Sequence, residues 1–185
     1  KKCEYEILKS KTYHYCNFWK KTLINLHVHT KKKIKEIDIE FAKYISDKIN
    51  HFVKKNKIKA ELISSHGHTV FHDPSKKITL QIGSGKVINE LCKITTVNNF
   101  RKIDIDLGGQ GAPLVPIGDK LLFQQYKYCL NIGGFANLSV KANNSIKAFD
   151  ICPANIALNF YCRKLGKEFD SGGEISRSGN MIKSL

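Results

Sequence analysis

With 185 residues, 42% of them hydrophobic, the chain has enough apolar material for one good core and falls in the single-domain size range. It contains no run of about 18 apolar residues, so no membrane span is expected, and its opening KKCEYEILKS lacks the apolar centre of a signal peptide. The formal charge of +15 is carried almost wholly by lysine, the arginines being Arg101, Arg163 and Arg177; nucleic-acid readers lean on arginine for bidentate and stacked contacts, so no nucleic-acid partner is expected.

The cysteines, Cys3, Cys16, Cys92, Cys129, Cys152 and Cys162, form no C-x-x-C pair. Cys129 and Cys152 lie in apolar runs and read as small core residues, which points to a reduced, cytoplasmic protein.

The first fifteen residues read as a weak strand or an extended lead-in. CNFWKKTLINLHVH follows with helical spacing at Phe18 or Trp19, Leu23 and Leu26. A basic turn over Lys31 to Lys33 then precedes a clearer helix, in which Ile37, Phe41, Ile45, Ile49 and Phe52 form one apolar face. AELISS reads as a short buried strand that delivers HGHT at its C-terminal end. KITLQIG and TTVNNF read as further strands, with GKVINELCKI as a short helix between them. This alternation argues for an α/β domain.

Later, YKYCLNIGG, FANLSVKA and SIKAFDI read as three strands, with Asn143-Asn144 as a tight turn between the last two. CPANIALNFYCRKLG reads as a helix, with Pro153 in its first turn and Gly166 at its stop. The final stretch reads as a loop followed by the start of a helix.

Four stretches fall where open α/β sheets carry function, at strand C-terminal ends. FRKIDIDLGGQGAPLVP is the richest: Asp104 and Asp106 precede Gly108, Gly109 and Gly111. A carboxylate on a Gly/Pro-framed loop suits a general base, and a solvated turn fits the spacing equally. NIGGFAN offers backbone N–H groups to a phosphate, although Gly-Gly turns are common. FDICPAN sets Asp150 before a helix start, as a metal–phosphate ligand or as a structural cap. SSHGHTVFHDP holds His66, His68 and His72 within seven residues. A strand would put the first two on one face, as a metal pair needs, but Gly67 argues for a loop.

Taken in order, SSHGHTVFHDP, ITLQIGSG, FRKIDIDLGGQGAPLVP, CLNIGGFANLS and FDICPANIALN resemble the motifs of the anhydro-N-acetylmuramic acid kinases, in the variant of the Bacteroidetes-like branch. The resemblance runs over residues 10–180 without a large gap. It implies the ribonuclease-H-like fold of the sugar kinase, Hsp70 and actin group, here incomplete. A partial N-terminal domain would span 1–125, and the beginning of a C-terminal ribonuclease-H-like domain 126–185. The implied reaction uses ATP and Mg²⁺ to hydrolyse the ring of 1,6-anhydro-N-acetylmuramic acid and phosphorylate its 6-oxygen, in cell-wall recycling.

Residue by residue, the resemblance implies Asp104 as catalytic base. It implies His66, Gly67, Thr69, Arg101, Gly109, Gln110 and Gly111 around the amino sugar, and Asn131, Gly133, Gly134, Asn137, Asp150 and Asn155 on the nucleotide side. No histidine-bound metal is implied. A homodimer is the candidate assembly.

The departures are Asn99 where an aspartate is usual, Ser84 likewise, and Asp106 in place of a small residue. The family's G-T-S-x-D-G phosphate loop has no counterpart in the 185 residues. By itself the chain is therefore expected to be inactive. A non-catalytic remnant of such a kinase and a basic binding module are the competing readings.

Overall fold

A computed structural model describes residues 4–112, 114–142 and 145–184. The chain divides into two compact units, Glu6–Leu114 and residues 115–184 with 4–5.

In the first unit, residues 4–16 carry no regular element, and α1 (Asn17–Ile24) leads into a 3₁₀ turn at Leu26–Val28. The long helix α2 spans Lys31–Asn56. Lys31 to Lys33, read above as a turn, are its first turn, because Thr30 caps it by accepting the Lys33 N–H at 3.3 Å. Lys54 and Lys55 close its last turn, where cations suit the helix dipole, and Lys57 ends it in the left-handed region at φ 52°. The α2 residues Ile34, Ile37 and Phe41 bury one face against Trp19, Leu23, Leu26 and Ile82. Trp19 meets the Phe41 ring edge-on at 5.1 Å. Burying an aromatic of this size stabilises by about 1.5–3 kcal/mol.

The strand β1 (Leu62–Ser64) pairs in parallel with β4 (Thr95–Val97). β1 is less buried than its apolar composition suggests, with Leu62 56% exposed, because β4 is its sole neighbour among the described residues. Between them comes an antiparallel hairpin, β2 (His68–Asp73) and β3 (Ile78–Ile82), with a bulge between Thr69 and Phe71. β2 went unread in the sequence because its alternation is masked by histidines. Helix α3 (Gly85–Cys92) follows, capped by Ser84, whose Oγ accepts the Val87 N–H at 3.5 Å. Serine and aspartate cap helices about equally well, so that departure costs the fold little. Asn99 stands at φ 64°, a region asparagine tolerates better than most residues. The expected loop at 101–107 contains a short helix, α4 (Lys102–Asp106).

The second unit begins with α5 (Val115–Leu122), a helix unforeseen in APLVP, where proline and glycine suggested a loop. Its sheet runs in the order β5 (Tyr128–Ile132), β6 (Phe135–Ala142), β7 (Ser145–Pro153), all antiparallel. The turn expected at Asn143-Asn144 lies outside the described residues. Pro153 ends β7 and does not enter the helix, so α6 (Asn155–Lys164) starts two residues later. Gly166 follows that helix at φ 74°, as a stop signal should. A short α7 (Glu174–Ser178) precedes the end, which carries no helix of its own over 179–184. Cys152, read above as core, is exposed, whereas Cys162 is buried.

No helix among the described residues is long and apolar enough to cross a membrane. The mixture of helix and strand is compatible with an α/β fold.

Candidate functional site

The first unit gathers its candidate residues around α4. Gly111 donates its backbone N–H to Oδ2 of Asp104 at 2.6 Å, curling the GGQG segment back over the carboxylate. Gly109 also returns to the same helix, giving its N–H to the Asp104 carbonyl at 2.7 Å. A side chain at Gly109 would collide with the Asp104 carboxylate, its Cβ falling 2.5 Å from Cγ. Glycine here lets the backbone lie against the carboxylate in the position that side chain takes. Oδ1 of Asp104 is left without a hydrogen-bond partner among the described residues, at an exposed position.

Arg101 caps the arrangement. Its Nη1 donates to the Gly111 carbonyl at 3.1 Å and its Nε to Nε2 of His66 at 3.1 Å. A guanidinium can only donate, so Nε2 of His66 must present its lone pair. The proton then sits on Nδ1, which lies 3.1 Å from the Gly67 carbonyl. Gly67 itself stands at φ 70°, and a Cβ there would strike the Ile82 carbonyl, so the turn that aims His66 requires glycine.

Thr69 lies in β2 opposite Gln81, outside this relay, and accepts a long 3.5 Å contact from the Gln81 amide. Gln110 is exposed. Asp106 turns away from Asp104 to pair with Lys102, 2.6 Å from its Nζ. The remaining histidines diverge. His68 packs edge-on against Phe41 at 6.4 Å, and burial, opposed by a hydrogen bond to the Leu23 backbone, holds its imidazole below the usual histidine range. His72 is exposed, 3.4 Å from the Thr79 hydroxyl. Among the described residues no cluster of three or more His, Cys, Asp or Glu side chains is arranged to hold a metal.

Two groups escaped the sequence reading. Asp38 of α2 reaches Gly83 to accept its N–H at 2.7 Å, 45 residues away. Gln81 buries an oxygen, Oε1, that has no partner among the described residues. ITLQIG reads as a strand with nothing to single out Gln81, and nothing in the helical pattern distinguishes Asp38 from a solvated acid.

The second unit holds its own polar set. Asn131 faces Asn137 across β5 and β6, and Asn137 faces Asp150 across β6 and β7, so the three share one rung and one face. A bulge at Ile151 keeps Asp150 on that face. The neighbouring Gly133–Gly134 turn is occupied by helix closure. The N–H groups of Asn155 and Ile156 donate to the Gly133 and Gly134 carbonyls, and the Asn155 side chain adds a 2.9 Å bond to Gly133. Gly133 gives its own N–H to Phe135. The turn's carbonyls thus cap α6.

The model of the anhydro-N-acetylmuramic acid kinase family matches residues 2–185. The chain belongs to the anhydro-N-acetylmuramic acid kinase family. Among curated members it is 38% identical over 158 residues to the anhydro-N-acetylmuramic acid kinase of Acinetobacter baylyi, covering 80% of this chain and 42% of the relative. The Pseudomonas syringae pv. syringae enzyme is 39% identical over 138 residues, 71% of this chain and 38% of the relative. That of Pasteurella multocida is 35% identical over 174 residues, 89% of this chain and 46% of the relative. The chain spans about half the length of the curated relatives it matches.

Proposed function

We propose that the chain is the central, sugar-handling part of an ATP-dependent kinase for 1,6-anhydro-N-acetylmuramic acid, with the ribonuclease-H-like architecture of sugar kinases. The observation that carries this reading is the relay Asp104–Gly111–Arg101–His66, in which each contact lies between 2.6 and 3.1 Å. Asp104 is held by one oxygen and offers the other as proton acceptor. It takes a proton from the water that attacks the anomeric carbon. The bond from that carbon to the 6-oxygen breaks, and the freed oxygen becomes the phosphoryl acceptor. Holding base and sugar in register is where such a site gains most of its rate.

On the nucleotide side, the rung of Asn131, Asn137 and Asp150 fits the polar edge of ATP, with Asp150 as the carboxylate available to its Mg²⁺. The metal would supply charge neutralisation on the phosphates. Gly133, Gly134 and Asn155 support that rung by fixing the start of α6. A homodimer in the cytoplasm is the assembly and compartment that go with this reading.

The test is to titrate the purified 185-residue chain with 1,6-anhydro-N-acetylmuramic acid, following the Gly109 and Gly111 amides by NMR. ATP and Mg²⁺ are then added and the product sought by mass spectrometry. Saturable shifts at those amides, with no phosphorylated sugar, are expected. No response at millimolar sugar would favour the remnant reading, whose support is the Asp106 departure beside the base. An ATP-dependent product would overturn the inactivity of the isolated chain.

A further inference from the structure

We propose that Asp38, in the first half of α2 and outside every motif quoted above, is a positioning residue for the sugar pocket. The proposal rests on the reading of Asp104, Arg101 and His66 as that pocket, and its first readout is independent of that reading. Asp38 is half-buried and accepts the Gly83 N–H at 2.7 Å. A carboxylate acceptor makes such a bond short and about twice as strong as a neutral one. Gly83 follows Ile82, whose side chain is 1% exposed in the core formed with Phe41, so the bond ties the end of β3 to α2.

The end of β3 in turn shapes the His66 turn. A Cβ on Gly83 would lie 3.6 Å from the Gly67 Cα, and one on Gly67 would strike the Ile82 carbonyl. The two loops are therefore packed backbone to backbone, and neither can shift alone. Gly67 carries the carbonyl that receives the Nδ1 proton of His66, and His66 receives Arg101. Asp38 thus sits at the head of a contact chain that runs through Gly83, Gly67, His66, Arg101 and Gly111 to Asp104. Its role is to hold the tautomer and aim of His66, with no contact to the sugar.

The experiment compares the full chain with Asp38→Ala and Asp38→Asn, reading the His66 ring nitrogens and the Gly83 amide by ¹⁵N NMR, with sugar titrations alongside. Asparagine keeps an oxygen at the same reach, so Asp38→Asn should retain the single Nδ1–H tautomer and bind sugar within about twofold of the parent. Asp38→Ala should bring the two ring nitrogens toward averaged values and weaken sugar binding about tenfold. A merely structural loss would lower the melting temperature and leave the His66 nitrogens of the folded fraction unchanged. That result, or a rapidly exchanging Gly83 amide in the parent protein, overturns the proposal. If alanine prevents folding, the Gly83 exchange rate in the parent and in Asp38→Asn still decides. If the parent binds no sugar while the His66 tautomer follows Asp38, the function reading fails and the positioning role stands.

Discussion

Arg101 donates its Nε–H to His66 across 35 residues of sequence and its Nη1 to Gly111, bracing two loops with one planar cation. Lysine carries the same charge but has neither the fork nor the geometry to serve both acceptors. Arg101→Lys is expected to weaken binding of the anhydro sugar about tenfold, since one charge-assisted contact at least is lost. The melting temperature should stay nearly constant, because both bonds lie near the surface. Calorimetric titration and a thermal melt on the same sample check both parts.

Gly109→Ala should separate site from fold. The new methyl would overlap the Asp104 carboxylate, which is exposed and free to rotate away. The stability loss should remain below about 1 kcal/mol, as for most surface substitutions. The 2.6 Å bond from Gly111 to Asp104 would be broken, however, and the Gly111 amide resonance should move even in the absence of sugar.

The His68 imidazole is held below its ordinary value by burial, with the neighbouring His66 adding to the effect. A histidine depressed in the folded state binds fewer protons there than in the unfolded chain, so stability rises with pH. Its contribution is complete above the unfolded value of about 6.5 and fades as pH falls from there toward the lower folded value. The thermal midpoint should therefore drop between pH 7.5 and 5.5, and His68→Gln should flatten that slope. An equal slope in the variant would place the pH dependence elsewhere.

One face of the β5–β6–β7 sheet carries Tyr128, Leu130, Ile132 and Phe149, each between 52 and 63% exposed. Apolar surface of this extent draws partners or causes association. The purified chain is expected to bind a hydrophobic dye and to self-associate in the ultracentrifuge at tens of micromolar, about the range where aggregation-prone surfaces tell. The double substitution Leu130→Thr, Phe149→Thr should cut the dye signal severalfold and shift the chain toward monomer.

What the sequence determined by itself was local. The 3.6-residue recurrence of Ile37, Phe41 and Ile45 specified a helix, and the alternation in FANLSVKA specified a strand, because periodicity alone decides which face can be buried. The ordered motifs were equally legible, and they led to the family that the residues 2–185 match supports. Tertiary structure decided what periodicity cannot encode. It converted HTVFHD, with its two histidines, into a strand by pairing it with β3, and it made a helix of KIDID, which puts Asp104 under Gly111. It also enlisted Asp38, whose role depends on a partner 45 residues away. Such contacts follow from how packed elements bring distant backbone groups within about 3 Å of one another, a distance that no spacing along the chain records.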